Sequence, residues 1–407
     1  MKWTGGTSGA EAWAYGLLLA ALLAVTFSIA LGQALLAAST LALLCWLIAD
    51  KTRPAVPPLL AAALLFCAIA WVTLGMHAER VPWSRIGKLF WFVTLPAAAL
   101  LIRDAPRLIS LLWAFALGCG ALAVEILFRN PWRAWHQAQA SPGHIQDFPR
   151  ALTMVGSMPE GQILMLGLVA TLGLLLIRRA EQRSLRGPAV LLALQTAAFI
   201  LNLKRGSWLV AGLLLVVFIL TKLTWKHMLL LALVAGAALC LPPVRARLRS
   251  VERDFDPAAG GRMTMWTHVA PELIRQYPFG LGYGLLTNER MREIEPNIER
   301  DRNHLHNNVL QVLVETGWPG LAAYLVWMGW ALVEAVRRLR RARAQAESAA
   351  IAALVLLLML AGLLANGVVE YNFGTSRLMI VLGAILGAWS VEQSDQEVGA
   401  EQRMRAL

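Results

Sequence analysis

Long apolar runs, separated by short basic connectors, recur along all 407 residues. They fall near 13–31, 34–49, 55–75, 88–102, 108–128, 157–177, 188–203, 207–221, 228–243, 319–336, 349–367 and 377–392. A bilayer core takes about 20 mostly apolar residues per helix, so the pattern predicts an all-α integral membrane protein of about twelve transmembrane helices. The runs at 88–102 and 207–221 are short, and we expect them to tilt or to re-enter.

Two stretches interrupt this rhythm. Residues 129–156, with their tryptophans, prolines and two histidines, read as an interfacial loop. Residues 244–318 are longer, charged and helically patterned. Met263, Trp266, Val269 and Leu273 recur on one helical face, Pro271 kinks or divides it, and the glycines of PFGLGYG stop it. A second helix is expected from near Asn303, with Val309, Leu310, Val312, Leu313 and Val314 forming a broad face. Gly317 and Pro319 end it, and Pro319 opens the next span. The chain then divides into 1–243 (spans one to nine), 244–318 (a helical outer loop domain) and 319–407 (spans ten to twelve and a tail).

Composition excludes a soluble protein: 58% of residues are hydrophobic and only 15% charged. The net charge of +12 would point to nucleic acid in a soluble chain. Here it follows topology. Lys51, Arg103, Arg107, Arg178, Arg179, Arg183, Arg186, Lys222, Lys226 and the run Arg337–Arg343 all fall on one side. The positive-inside rule makes that side, and both termini, cytoplasmic. No nucleic-acid partner is expected. The four cysteines lie in or beside apolar runs, so no disulfide framework is implied. The first run reads as an uncleaved signal anchor, and no internal repeat is visible.

Candidate chemistry gathers on the outer side. His306 stands at the membrane surface, one helical turn before Leu310. An isolated histidine there is more often a cap than a catalyst. His304 lies two residues away, so a helix would point the two rings apart, which disfavours a zinc site. Lys204 and Arg205 follow span seven with almost no loop, a costly placement unless they meet water or an anion. Arginine's planar fork suits phosphate oxygens. Arg262 opens a helix after Gly260-Gly261, where free N–H groups already favour anions. Arg80, Arg85 and Lys88 precede span four. Glu160 lies just inside the outer end of span six. Glu125 and Arg129 are spaced to pair with one another. Together these make a cationic outer face suited to a lipid-linked anionic substrate.

Three segments carry a resemblance. GGRMTMWTHVAPELIRQYPFGLGYG resembles the Gly-Arg…Trp…Pro-x-x-Gly-x-Gly-x-Gly stretch of the O-antigen ligase and Wzy-type polymerase superfamily, although Pro278-Phe279-Gly280 is one residue shorter than that form. HNNVLQVLVETGWPG resembles its His-Asn…Leu…Glu-x-Gly-x-x-Gly stretch, and LKRGSW its mid-chain arginine. The resemblance implies a glycosyltransferase of the GT-C type, with its active site at the periplasmic face of the bacterial inner membrane. Its donor would be a glycan on undecaprenyl diphosphate and its acceptor a sugar hydroxyl of lipid A–core. It makes His306 the catalytic base and Arg205 and Arg262 the diphosphate-binding pair, and Asn307 matches its motif; Lys204, Arg80, Asn307, His304 and Glu160 are candidate supporting residues by their place on the outer face. Guanidinium groups can stabilise the departing diphosphate, so neither metal nor cofactor is expected. Besides membrane lipids, the partners are the lipid-linked donor and the lipid A–core acceptor. The rivals are a Wzy-type polymerase, a protein O-oligosaccharyltransferase and, further off, a flippase for lipid-linked sugars.

Overall fold

The structure is a computed structural model and describes residues 9–51, 58–77, 89–139, 148–222, 224–249, 256–257, 260–299, 303–344 and 346–388. Every described regular element is helical. All twelve apolar runs carry a helix, but their lengths differ. Among the described residues, seven helices are long and apolar enough to cross a membrane: Ile29–Ala49, Pro58–His77, Ala105–Gln139, Met158–Ala180, Arg205–Lys222, Asn308–Ala342 and Glu347–Gly367. An eighth is gained if Trp225–Cys240 and Pro242–Arg249 count as one span, though they meet at 85°. Gly9–Val25, Arg186–Leu201 and Ser376–Gly387 are apolar but shorter. The 88–102 run forms a tight turn, Phe90–Val93, and a short helix, Thr94–Leu101.

The helices pack around one apolar core that includes Phe66, Leu95, Leu166, Trp327 and Leu360. Phe66, Phe92, Trp327 and Phe373 meet within it at ring separations of 5.0–6.0 Å. The most deeply embedded of the long spans is Met158–Ala180. Ser157 begins it by accepting the Glu160 N–H, with a proline in its first turn.

Residues 129–156 are not simply an interfacial loop. The helix that begins at Ala105 runs on through Pro131 to Gln139, and Phe148–Val155 forms another helix. Asn130, Ala134 and Ala138, spaced four apart, are all buried. Ala134 and Ala138 pack with Ala151, Leu152, Leu203 and Val244 in a small separate core. That packed stripe outweighs the single helical hydrogen bond that Pro131 removes.

The expected break at Gly317 is present as a kink inside the helix Asn308–Ala342, where Gly317 has φ 66° and ψ −172°. Pro319 has no N–H, so the Glu315 carbonyl four residues earlier has no helical donor. The Trp318 N–H turns instead to the Pro278 carbonyl at 3.3 Å, which frees the Val314 carbonyl as well. Both orphaned carbonyls are satisfied from PFGLGYG: Leu281 N–H donates to Val314 and Gly282 N–H to Glu315, each at 2.9 Å. The two late motifs are therefore halves of one interlock. Gly280 sits at φ 98°, and a Cβ there would meet the Glu315 carbonyl oxygen at 2.6 Å. Gly280→Ala is expected to cost about 3 kcal/mol through strain and clash. It should lower the thermal midpoint of the purified protein, and an unchanged midpoint would contradict the interlock.

The helical face expected around Trp266 is shifted. A π turn, Met265–Val269, lies between the Arg262–Thr264 turn and the helix Ala270–Gln276, and the Ala270 N–H reaches back five residues to Met265. The extra residue in that turn moves the buried positions to Thr264, Met265, Val269, Ala270 and Leu273 in place of Met263 and Trp266. Trp266 becomes half-buried, and its indole N–H donates to the Leu305 carbonyl at 2.7 Å. This bond ties the Arg262 segment to the residue just before His306.

Candidate active site

Four segments meet on one side of the bundle: 203–206, 260–262, 303–308 and 366–373. Each has a local reason for its course. Leu203 takes a left-handed φ of 55°, so the chain reverses between Arg186–Leu201 and Arg205–Lys222 without a loop. Gly260 has φ 70°, and a Cβ would come within 1.9 Å of the Asn297 carbonyl. Only glycine fits this approach, and it sets Arg262 at the start of the next helical turn.

His306 is not in a helix beginning near Asn303. The helix starts at Asn308, with Asn307 as its N-cap accepting the Leu310 N–H at 3.0 Å. Asparagine is among the best residues at that position, and it stops the helix from extending backward. His306 lies just before the cap, with φ 52° and 2% exposure. A positive φ in a residue other than glycine is strained, and such strain gathers at functional sites. Because the segment is not helical, His304 and His306 do not diverge. Their rings stand 4.1 Å apart, edge to face, and the His306 N–H points to His304 Nδ1 at 3.4 Å. His304 also lies 5.6 Å from the Tyr371 ring.

The fourth segment is held by the two asparagines after His306. Asn307 donates to the Val368 carbonyl at 2.8 Å. Asn308 donates to the Asn372 side chain at 2.7 Å and accepts the Asn372 and Phe373 N–H groups. These bonds bring Glu370 under the imidazole. His306 Nδ1 and Glu370 Oε2 are 3.0 Å apart, and the other carboxylate oxygen takes a hydrogen bond from the Arg262 guanidinium. Glu370 is 3% exposed. Burial pushes its carboxyl above the ordinary range, opposed by the charges of Arg262, His304 and Lys204.

Arg205 reaches this centre through the backbone. Its guanidinium donates to the Arg247 carbonyl at 3.1 Å, and Arg247 donates back to the Leu203 carbonyl at 3.3 Å. The next residue, Gly206, abuts Glu370: a Cβ there would lie 3.4 Å from both Cγ and Oε1. The positive end of the Arg205–Lys222 helix thus faces the carboxylate. Lys204 borders Gly161, close to the helix start that carries Glu160. Glu160 itself lies in a second polar cluster, bound by Arg129 at 2.7 Å, which also holds Glu125 at 2.6 Å. Arg80, Arg85 and Lys88 lie outside the described residues.

Glu370 escaped the sequence reading. A visible signal pointed to it: no other charged residue stands between Glu347 and Arg377, and a lone carboxylate in an apolar stretch is costly without a partner. The outer loop also carries an Asp-x-Asp pair, Asp254-Phe255-Asp256, of which Asp256 is described. Among the described residues, no three His, Cys, Asp or Glu side chains are grouped to hold a metal ion.

The fold is that of a multi-pass, all-α membrane protein, and its polar centre joins a strained histidine, a buried carboxylate and several cations. Residues 188–325 match the family model described as O-antigen ligase. That segment, about a third of the chain, is what the chain shares with the O-antigen ligase family. No curated protein matches the chain. The matched segment contains Lys204, Arg205, Arg262, His304, His306 and Asn307. Glu370 lies beyond it.

Proposed function

We propose that the protein is an O-antigen ligase of the GT-C type, acting at the periplasmic face of a bacterial inner membrane with both termini in the cytoplasm. It moves a glycan from undecaprenyl diphosphate to a sugar hydroxyl of lipid A–core. Twelve spans and a periplasmic loop domain at 244–318 belong to the same reading. The observation that carries it is the meeting of His306 with Glu370 and Arg262 beside the Lys204–Gly206 turn.

In this reaction the acceptor oxygen attacks the anomeric carbon of the donor. Its proton passes to His306. The bond from that carbon to the diphosphate breaks, and its electron pair stays on the diphosphate oxygen. Arg262 and Arg205 meet the charge that develops there. A single displacement of this kind inverts the anomeric carbon. An uncharged imidazole is an available base near neutral pH. Because the leaving group is met by guanidinium, a chelator should leave the rate within about twofold, whereas a required metal would abolish transfer by orders of magnitude.

The test offers purified protein one lipid-linked glycan and two acceptors in parallel, lipid A–core and a second lipid-linked glycan, with chelator present. Transfer to lipid A–core is expected. Transfer to the lipid-linked glycan alone would make the protein a polymerase, and dependence on added divalent cation would overturn the metal-free mechanism.

A further inference from the structure

The proposed reaction leaves Glu370 without a task, and it asks Arg262 to bind a diphosphate while that guanidinium is already occupied. We propose that Glu370 is the positioning residue of the site. One carboxylate oxygen holds His306 through Nδ1, and the other is surrendered by Arg262 when an anionic donor binds. This inference rests on the ligase reading and adds a residue and a step to it.

The geometry supports both halves. With the Arg262 guanidinium donating to one oxygen, Glu370 acts as an acceptor, so at 3.0 Å its other oxygen fixes the proton of His306 on Nδ1. That leaves Nε2 as the acceptor, the atom that takes the proton of the attacking hydroxyl. The ring has little freedom to do otherwise. Its backbone is held by the left-handed φ, its face by His304, and the preceding carbonyl by Trp266. On the other side, Arg262 binds the second oxygen of Glu370. The groups facing the carboxylate are Arg262, His304, His306 and Lys204, together with the helix start at Arg205-Gly206. A single carboxylate is outnumbered by cations there. A diphosphate carries more negative charge and more acceptor oxygens, so it can take Arg262 while Glu370 keeps His306. The same carboxylate thus offsets the cations around it and orients the base.

The test is Glu370→Gln, assayed for transfer with lipid-linked donor across pH in lipid nanodiscs, beside wild type and His306→Ala. A neutral amide no longer competes for Arg262 and no longer dictates the tautomer of His306. The expected kcat falls about 10²-fold, while the donor KM stays level or decreases. Without its carboxylate the imidazole protonates less readily, so the acid limb of kcat/KM moves to lower pH.

Equal losses in kcat and affinity with an unmoved acid limb would reduce Glu370 to a packing role and overturn the inference. Unchanged kinetics would overturn it as well. If the glutamine variant does not insert, Glu370→Asp decides by the same two readouts, because it keeps the charge but withdraws it from Nδ1. A lowered kcat with donor KM held supports the inference, and unchanged kcat overturns it. Failure of the ligase reading is distinguishable: the wild type itself would then put no glycan on lipid A–core. An inactive His306→Ala beside an unaltered Glu370→Gln removes this inference alone.

Discussion

His306→Ala is expected to lower the rate of glycan transfer by about 10²–10⁴, the usual worth of a positioned general base. The loss should appear in kcat, with donor binding nearly intact, because the proposed reaction gives the acceptor hydroxyl to the imidazole and the donor to Arg262. His306 lies outside the apolar core but is buried against Glu370, so its removal should leave insertion intact and lower the thermal midpoint less than loss of Arg262 does. Glycine at this position would satisfy the φ of 52° more easily than alanine. His306→Gly should therefore be as inactive as His306→Ala and slightly more stable. Retained transfer in both would make the imidazole a structural cap.

Arg262→Ala is expected to produce the second large effect, of a different kind. The guanidinium is the direct ion-pair partner of Glu370 and leads the charges that oppose burial of that carboxylate. Breaking a buried pair on one side leaves the other charge uncompensated, which costs about 3–5 kcal/mol when burial is complete. Arg262 is one-fifth exposed, so the loss should fall toward the lower end of that range. Transfer should be abolished as well, with a steep rise in donor KM at any residual rate. Combining Arg262→Ala with Glu370→Gln removes both charges and should recover most of the stability but none of the activity. Recovery of activity in the double variant would show that Arg262 serves the fold and not the donor. Arg262→Lys should recover little, because a single ammonium cannot span two phosphate oxygens as the guanidinium fork does.

The twelve apolar runs located the helices because hydrocarbon burial acts on every residue of a span. The errors lie where a local signal was weaker than packing. Pro131 reads as a breaker, yet the helix passes through it because Asn130, Ala134 and Ala138 are buried on one stripe. Gly317 and Pro319 were legible as a break. Their partner, the glycine run at 280–284, was not, since pairing across more than thirty residues leaves no periodic trace.

At the site, residue types were legible and their geometry was not. Arg262, Arg205 and His306 stood out as polar groups at helix ends in an apolar chain. The helix start was placed five residues early, because Asn303, Asn307 and Asn308 all favour caps and only tertiary contacts choose among them. That choice decides whether His304 and His306 diverge or stack. Glu370 is separated from His306 by 64 residues, and its position depends on the asparagine bonds that fold the 368–373 turn back onto the helix start.

The proposed reaction is an inverting transfer from a lipid diphosphate to a core sugar. The most direct measurement follows purified protein in lipid nanodiscs with a lipid-linked glycan of defined anomeric configuration and lipid A–core, and reads the new linkage by nuclear magnetic resonance. Glycan is expected on lipid A–core with inverted configuration, and undecaprenyl diphosphate released in equal amount. Retained configuration, or release of the diphosphate with no glycan on the acceptor, would contradict it.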